Sequence, residues 1–367
     1  MINSQKQEAG DDSTNFQAGQ MVVHIGIDER RAREIYQEMQ LQTRNDYSEE
    51  ALKIANARIS EFECRLLPKM EQVDGALEAF ADPSFQLLLV EAQKTAASTE
   101  RPEDYELLSE LLIHRFQKGQ NRIARAGISL AVGIVDKVSD EALLGLTVAH
   151  ATSTFIPVSG NIHQGLDTLN DLFGKIFYGE LPTGQDWLDH LDILSTVRLR
   201  SFETLKKIQQ YFPEKLSGYV DVGISKKSEN YDKAVEILKN NNLPSDILID
   251  TLNSDFVRTC ICDRDSINNI SLEHQVMQKG NLNTVSVKLS EAQKKAIYNI
   301  YDLYSEDGNL KQNNINLFMA EWDKRPNLKT LREWWDDIPT SFTITSVGSV
   351  LAHSNAQRCD KSLPAFN

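Results

Sequence analysis

The residues best suited to metal binding or acid–base chemistry are scattered along the chain. Two pairs of carboxylates, Asp263-x-Asp265 and Asp336-Asp337, offer the oxygen ligands that Mg²⁺ prefers. The chain has 53 acidic residues against 39 basic ones, and in so acidic a sequence such pairs are more typical of solvated surface. We therefore assign no catalytic residue from the sequence.

The cysteines do not have the spacing of a zinc site. Cys260 and Cys262 lie one residue apart, and His274 follows twelve residues later. Structural zinc usually requires two closely spaced ligand pairs, so this pattern favours buried free thiols, which pack as small apolar groups. We predict no metal site and no cofactor. Four cysteines in 367 residues form no disulfide framework, which is typical of the reducing cytoplasm.

The sequence lacks the common nucleotide and nucleophile motifs. It contains neither a GxxxxGK[ST] phosphate loop nor a GxSxG elbow, and the seven histidines are scattered. The net charge of −14 and the pI of about 5.0 disfavour a phosphate-seeking surface. Arg115, Lys118, Arg122 and Arg125 have near-helical spacing and could line a basic groove, although a solvated helix face is the alternative. We predict no sequence-specific nucleic-acid partner.

Residues 1–27 form a polar segment with one short stretch that favours a β-strand. Met21–Ile25 is rich in β-branched residues, and turn-forming residues precede it. A lone strand cannot pair its own backbone groups, so it must add to a sheet in this chain or in a second copy; a disordered tail is the alternative. We predict an assembly arm whose contact residues are Gly10, Ser13, Asn15, Phe16, Gln17, Val22, Val23 and Ile25.

A long amphipathic helix follows the first predicted helix, which Asp28 caps. Apolar residues recur every three or four positions from Leu52 to Val73 and form a seam on one helix face. Such a seam packs either into the core of its own chain or against a helix of another subunit. We therefore add three seam residues to the predicted assembly surface: Ile59, Phe62 and Leu66.

The remaining pattern predicts a mainly α protein, a multi-helix bundle with the short N-terminal β segment and a few short strands in the C-terminal half. We predict an arm at 1–27, a helical bundle domain at 28–217 and a mostly helical domain at 218–367. Within these, Phe202–Tyr211 is predicted to be a helix that Pro213 stops, and Gly218–Ile224 to be a short strand.

The longest uncharged run, Ala142–Leu166, is long enough to span a bilayer. Its polar residues, among them His150, Pro157 and His163, would need partners in hydrocarbon. The run therefore favours a buried helix, a loop and the next helix, with a membrane-active segment as the minority alternative. Because the N-terminus also lacks an apolar signal region, we predict a cytoplasmic protein with no stable membrane anchor.

Three stretches resemble an uncharacterised bacterial family named by locus tags from Legionella and Veillonella. They are GDDSTNFQAG followed by IGIDERRAREI, the central LPTGQDWLDHLDILSTVRLRSFETLKKIQQYFPEKLSGYV, and the C-terminal FTITSVGSVLAHSNAQRC. Segments similar to the first precede many bacterial immunity proteins, and the C-terminal ending is similar to endings found there. The resemblance implies an antiviral or stress-response role and transfers no catalytic residue.

These observations lead to three functional hypotheses. The first is a cytoplasmic sensor or scaffold of bacterial antiphage defence that acts as a homo-oligomer and recognises a phage protein or the product of a neighbouring gene. The second is a metal-dependent nuclease activated by assembly, for which the carboxylate pairs and histidines would supply candidate ligands. The third is a membrane-damaging effector that uses residues 142–166.

Overall fold

The predicted class is confirmed, because the described part of the chain is mainly α with a few short strands. The predicted arm, with its eight contact residues from Gly10 to Ile25, lies outside the described residues. The computed structural model describes residues 28–44, 49–118, 121–200, 202–262, 264–269, 271–278 and 281–366.

The described helices run through both halves of the chain, and short 3₁₀ helices lie at Ala76–Ala81, Ser245–Ile247 and Arg264–Asn269. The α-helices are α1 (Glu29–Arg44), α2 (Glu49–Gln72), α3 (Pro83–Ser98), α4 (Pro102–Gln117), α5 (Arg122–Val132), α6 (Asp140–Thr154), α7 (Ile162–Ile176), α8 (Asp186–Ile193), α9 (Ile208–Lys215), α10 (Ser217–Val220), α11 (Glu229–Asn240), α12 (Glu291–Tyr301), α13 (Gly308–Asp323), α14 (Pro326–Asp337) and α15 (Ser346–Cys359).

The described strands form three small antiparallel sheets: β1–β7, β2–β4–β3 and β5–β6. The strands are β1 (Val197–Arg200), β2 (Ile224–Ser225), β3 (Leu248–Asp250), β4 (Phe256–Thr259), β5 (Ser271–Gln278), β6 (Asn281–Lys288) and β7 (Ser341–Ile344).

The larger core is built from helices of both ends of the chain. α15 packs against α4, α5 and α6, and α14 packs against α7, so the C-terminal helices return to the N-terminal bundle. The smaller core lies between Ile224 and Tyr304 and joins α11 and α12 to the sheet β2–β4–β3. The segment that forms the smaller core thus begins near the predicted boundary at 218 and ends before α13.

A buried arginine ties the two cores together. Arg258 on β4 is fully buried and donates from Nη2 to the carbonyl of Gly160 at 2.5 Å. Its guanidinium also lies 5.4 Å from the centre of the Tyr219 ring, which belongs to the larger core. A Cβ on Gly160 would stand 1.7 Å from the carbonyl oxygen of Cys260, so only glycine permits this approach of the two backbones.

The seam of α2 faces the interior of this chain. Ile59, Phe62 and Leu66 are at most 2% exposed, in a helix that packs against α3 and α4. Of the two alternatives that the sequence leaves open for the seam, the structure shows core packing, so these three side chains have no free surface for a second copy.

The long uncharged run is also part of the core. It comprises most of the buried helix α6, a loop and the beginning of α7, as predicted. The hydroxyls of Thr147 and Thr152 donate to the carbonyls of Leu143 and Val148 within α6, which satisfies these polar groups inside an apolar core. In the described part of the chain, no helix has the length and apolarity needed to cross a membrane.

Two local predictions are wrong. The helix placed at Phe202–Tyr211 begins at Ile208 instead and includes Pro213, because the N–H of Ile208 donates to Asp336 Oδ1 of α14 at 2.8 Å and the helix starts at this tertiary cap. The strand placed at Gly218–Ile224 is the helical turn α10 followed by β2. Here the N–H of Gly218 donates to the carbonyl of Cys262, a contact that fixes the turn.

Candidate functional sites: an open hairpin and a histidine-lined cavity

The hairpin β5–β6 is the longest paired strand unit of the described chain. Eight residues of β5 pair in register with eight of β6, from Ser271 opposite Lys288 to Gln278 opposite Asn281. The sheet has two strands, so each strand keeps one backbone edge that faces away from the ladder. An unpaired edge is a template for a further strand.

The register identifies the backbone groups on these outer edges. Two residues separate the closing pair Gln278 and Asn281, and a closing pair of this kind is hydrogen-bonded. Bonded and non-bonded pairs then alternate along an antiparallel ladder. Gln275 and its partner Thr284 are therefore a non-bonded pair, whose N–H and C=O groups point outward.

Three histidines meet inside the larger core, where α4, α6 and α15 pack together. His114, His150 and His353 are at most 5% exposed, and we call them the histidine cluster. The ring centres of His150 and His353 are 5.4 Å apart, and those of His114 and His353 are 6.0 Å apart. In the described residues, no three His, Cys, Asp or Glu side chains form a group able to hold a metal ion.

The hydrogen bonds of the cluster fix the tautomers of two rings. A carbonyl can only accept, so His353 Nε2 donates to the Pro364 carbonyl at 2.9 Å, and Nδ1 of the neutral ring is an acceptor. His150 Nε2 donates to this Nδ1 at 3.2 Å. His150 Nδ1 is then an acceptor as well, and the hydroxyl of Thr154 lies 3.4 Å from it. The result is a directed chain of donors from Thr154 to Pro364.

A second chain of donors ends at the same carbonyl. The Gln357 amide donates from Nε2 to the Pro364 carbonyl at 3.0 Å, so its Oε1 accepts from His114 Nε2 at 2.8 Å. The hydroxyl of Ser354 then donates to His114 Nδ1 at 3.0 Å. The C-terminal segment after α15 thus bonds directly to His353 and is connected to His150 through His353 and to His114 through Gln357. The ring of Phe366 lies 5.1 Å from that of His353.

Burial keeps the histidine cluster neutral. Desolvation, with a smaller contribution from the neighbouring His353, lowers the pKa of His114 and of His150 to about 4, although the hydrogen bond to Gln357 opposes the shift at His114. The pKa of His353 is also lowered by burial. At pH 7 the three rings therefore act as neutral hydrogen-bonding groups.

A cavity of about 560 Å³ opens beside His150, and we call it the hydroxyl cavity. Aromatic rings of Tyr211, Trp335 and Phe342 form part of its wall. Its polar wall contains His150, Glu203 and Lys206 together with six Ser and Thr hydroxyls: Ser153, Thr154, Thr204, Ser341, Thr343 and Ser349. The strand pair β1–β7 brings together the two segments, 203–211 and 341–349, that supply most of this lining.

A second cavity, of about 580 Å³, has a different chemistry. It lies between α4, α6 and α15 and is lined by carboxylates, including Glu103, Glu141 and Glu180. Arg358 is the basic residue of this wall; its Nε donates to Asn355 Oδ1 at 2.8 Å, and its guanidinium lies over the Tyr178 ring.

The structure gives several sequence candidates structural roles. Asp336 caps α9, as described above, and Cys262 is buried with its thiol 2.8 Å from the carbonyl of Ser159. Arg115 and Arg125 both donate to the Ser84 hydroxyl, and Arg115 is 7% exposed, so these two residues do not form a solvated face.

Other sequence candidates are Asp263, Asp265, Asp337 and His274. Asp263 is outside the described residues, and nothing is described of the side chains of Asp265 and His274. Asp337 lies exposed at the end of α14.

The sequence does not reveal the histidine cluster. His150 and His353 are 203 residues apart, and His114 and Gln357 are 243 apart. The available signal is a histidine within each of three largely apolar helical stretches, where a polar ring requires a buried partner. That signal predicts burial without saying which residues meet.

Fold and sites together define a mainly α protein with a small mixed second core, an open β-hairpin and buried histidines. A model of an uncharacterised family with a Veillonella locus-tag name matches residues 26–363, nearly the whole chain, so the protein belongs to that family. Neither the curated proteins nor the solved structures contain a match to the chain.

Proposed function

We propose that the protein is a sensor or scaffold that acts through homo-oligomer assembly. In this proposal the strand at Met21–Ile25 of one copy pairs with an outer edge of the β5–β6 hairpin of another. The observation that supports it is the hairpin itself, an eight-residue ladder with an outward backbone edge on each strand. Addition of a strand to such an edge is a common mode of protein recognition.

The requirements of the two segments are complementary. A five-residue strand needs a partner for its backbone groups, and the hairpin is long enough to pair with all five residues. A two-stranded hairpin is at best marginally stable in water, so a third strand would stabilise it as well. Main-chain hydrogen bonds would supply the affinity.

The arm is long enough to reach another copy. It is joined to α1 at Asp28, whose carboxylate caps the helix by accepting from the N–H of Arg31 at 2.8 Å. An extended segment of 27 residues spans up to about 90 Å, whereas a compact chain of this length has a radius of gyration of about 21 Å. The arm can therefore leave its own subunit.

Mass photometry tests the proposal at micromolar concentration. The full chain is expected to form an oligomer of defined mass, and a variant lacking residues 1–27 is expected to be a monomer. The double variant Gln275→Pro/Thr284→Pro removes one outward N–H from each edge and is expected to be monomeric too. Gln275→Ala/Thr284→Ala keeps both N–H groups and serves as the matched control, which should assemble.

Two outcomes would contradict the proposal. One is a monomeric full chain at micromolar concentration. The other is a proline double variant that keeps the native circular dichroism spectrum and assembles as well as its alanine control.

We further propose antiphage defence as the setting of this assembly, with a phage protein or a neighbouring-gene product as the recognised partner. The support is the resemblance carried by GDDSTNFQAG and by the C-terminal stretch. Expression in a phage-sensitive host should lower plaque numbers with the full chain and not with the variant lacking residues 1–27. Equal plaque numbers across a broad phage panel would count against this setting.

A further inference from the structure

The hydroxyl cavity carries a wall of two rings that are held in place. Trp335 donates from its indole N–H to the carbonyl of Lys206 at 2.9 Å, and the Tyr211 ring lies 5.8 Å from it at an angle of 34°. The ammonium group of Lys215 lies 5.6 Å from the centre of the Tyr211 ring. Fixed aromatic surfaces of this kind favour a flat, delocalised ring as ligand.

The hydroxyl groups of the wall can bind both donors and acceptors. Each of the six hydroxyls has one proton and two lone pairs. Those of Ser153 and Thr154 already donate to His150, so these two offer lone pairs, and together the six match a ligand rich in hydroxyl and amide groups. The hydroxyl of Thr343 already accepts from Arg200 Nε at 2.8 Å, which positions it at the rim. The wall therefore offers an aromatic surface for the ring of a ligand and hydrogen-bonding groups for its hydroxyls.

The cations around the cavity already have hydrogen-bond partners within the chain. Glu203 accepts from Arg200 at 3.1 Å, and Lys206 donates to Glu214 at 2.6 Å. Lys215 donates to the carbonyl of Thr152 at 2.7 Å, and burial lowers its pKa to about 8. Because these cations have partners, the wall favours a neutral ligand over a phosphorylated one.

We propose that the hydroxyl cavity is a binding site for a neutral nucleoside. Its base would lie against the half-buried Tyr211 ring, which the buried Trp335 holds in place, and its ribose would bond with the hydroxyl groups of the wall. The volume of about 560 Å³ lies within the range of ligand pockets. This binding is independent of the assembly proposed above, so each of the two proposals fails or stands by its own test.

Isothermal titration of the full chain with adenosine, guanosine, cytidine and uridine tests this proposal. At least one nucleoside is expected to bind with a Kd below about 1 mM, and its 5′-monophosphate and free ribose are each expected to bind about tenfold more weakly. Loss of the stacking ring in Tyr211→Leu should weaken binding about tenfold. Thr204→Val, at an exposed hydroxyl of the wall, should weaken it about fivefold.

Thr183→Val is the matched control, since Thr183 is also exposed but lies at a different pocket, and it should bind as the unaltered chain does. The proposal is overturned if none of the four nucleosides binds at about 5 mM. It is also overturned if ribose or the monophosphate binds as tightly as the nucleoside, or if Thr204→Val and Tyr211→Leu, both correctly folded, bind it unchanged.

Discussion

The histidine cluster and the β5–β6 hairpin satisfy their polar groups in opposite ways. In the cluster, both nitrogens of His114, His150 and His353 have partners within the chain, and two donor chains end on one carbonyl at Pro364. In the hairpin, half of the backbone groups of each strand face out of the ladder. The cluster finds all its partners within the chain, whereas the outer edges of the hairpin have no partner strand in the described sheet.

This difference separates stability from recognition. A buried polar group without a partner costs about 1–3 kcal/mol, so the partners of the cluster maintain the fold. Outward backbone groups of an edge strand bond to water until another strand replaces the water, so an edge strand can bind a partner at little cost to its own fold. Changes in the core should therefore alter stability, and changes at the hairpin edge should alter assembly.

The largest expected effect on stability comes from the N-terminus of α15, which carries His353. A Cβ on Gly348 would stand 2.0 Å from the carbonyl oxygen of Thr196 on the segment before β1. Gly348→Ala should therefore lower the free energy of unfolding by about 3 kcal/mol in urea titrations. Gly308→Ala, also in the first turn of a helix and with open space at its Cβ, is the control and should not destabilise the chain. Equal effects of the two changes would contradict the close packing of α15.

The pH dependence of stability should report on the histidine cluster. The folded pKa of His114 and His150 is about 4 against an ordinary value of 6.5, so between these values the unfolded chain binds protons that the folded chain does not. The contribution of these two neutral histidines to the free energy of unfolding is therefore fully present above pH 6.5, and it is lost as the pH falls toward 4. Between pH 7.5 and pH 5 the loss should be about 2 kcal/mol for each histidine.

Variants at two histidines check this assignment. His150→Asn should reduce the drop between pH 7.5 and pH 5 by about 2 kcal/mol, although it also lowers the stability at pH 7.5. His163→Asn, which changes an exposed histidine, should leave the drop unchanged. A drop that is the same in both variants would show that other groups cause the acid sensitivity.

The smallest expected effect on stability is at the hairpin. Gln275→Pro/Thr284→Pro should change the free energy of unfolding of the monomeric chain by less than about 0.5 kcal/mol, because the lost N–H groups face outward. Urea titration of the variant lacking residues 1–27, with and without the two prolines, measures this. A loss of several kcal/mol would mean that these N–H groups bond within the chain.

Helix ends were the most predictable part of the fold, because their signals are local. Asp82, Ser139, Ser290 and Thr345 each accept a hydrogen bond from the first turn of the helix that they precede, as their residue types predict. The seam of α2 predicted a buried face, although the sequence could not distinguish a partner helix in this chain from one in another copy.

Contacts between distant segments were not predictable in the same way. β1 pairs with β7 across about 140 residues. The stretch 244–288 contains four strands, β3 to β6, whose partners the local pattern does not identify. The candidate cavities depend on such contacts, since His150, Tyr211 and Ser349 come from three separate parts of the sequence. The residue types of these three predict polarity and burial, whereas tertiary packing determines which residues they contact.

Hydrogen–deuterium exchange of residues 271–288 tests the central claim most directly, because it observes the hairpin edge itself. If the arm of one copy covers that edge, amides of this segment, including those of Gln275 or Thr284, should exchange slowly in the full chain. They should exchange quickly in the variant lacking residues 1–27, and a synthetic peptide of residues 1–27 should restore protection. Equal exchange in the full chain and the shortened variant would contradict the claim.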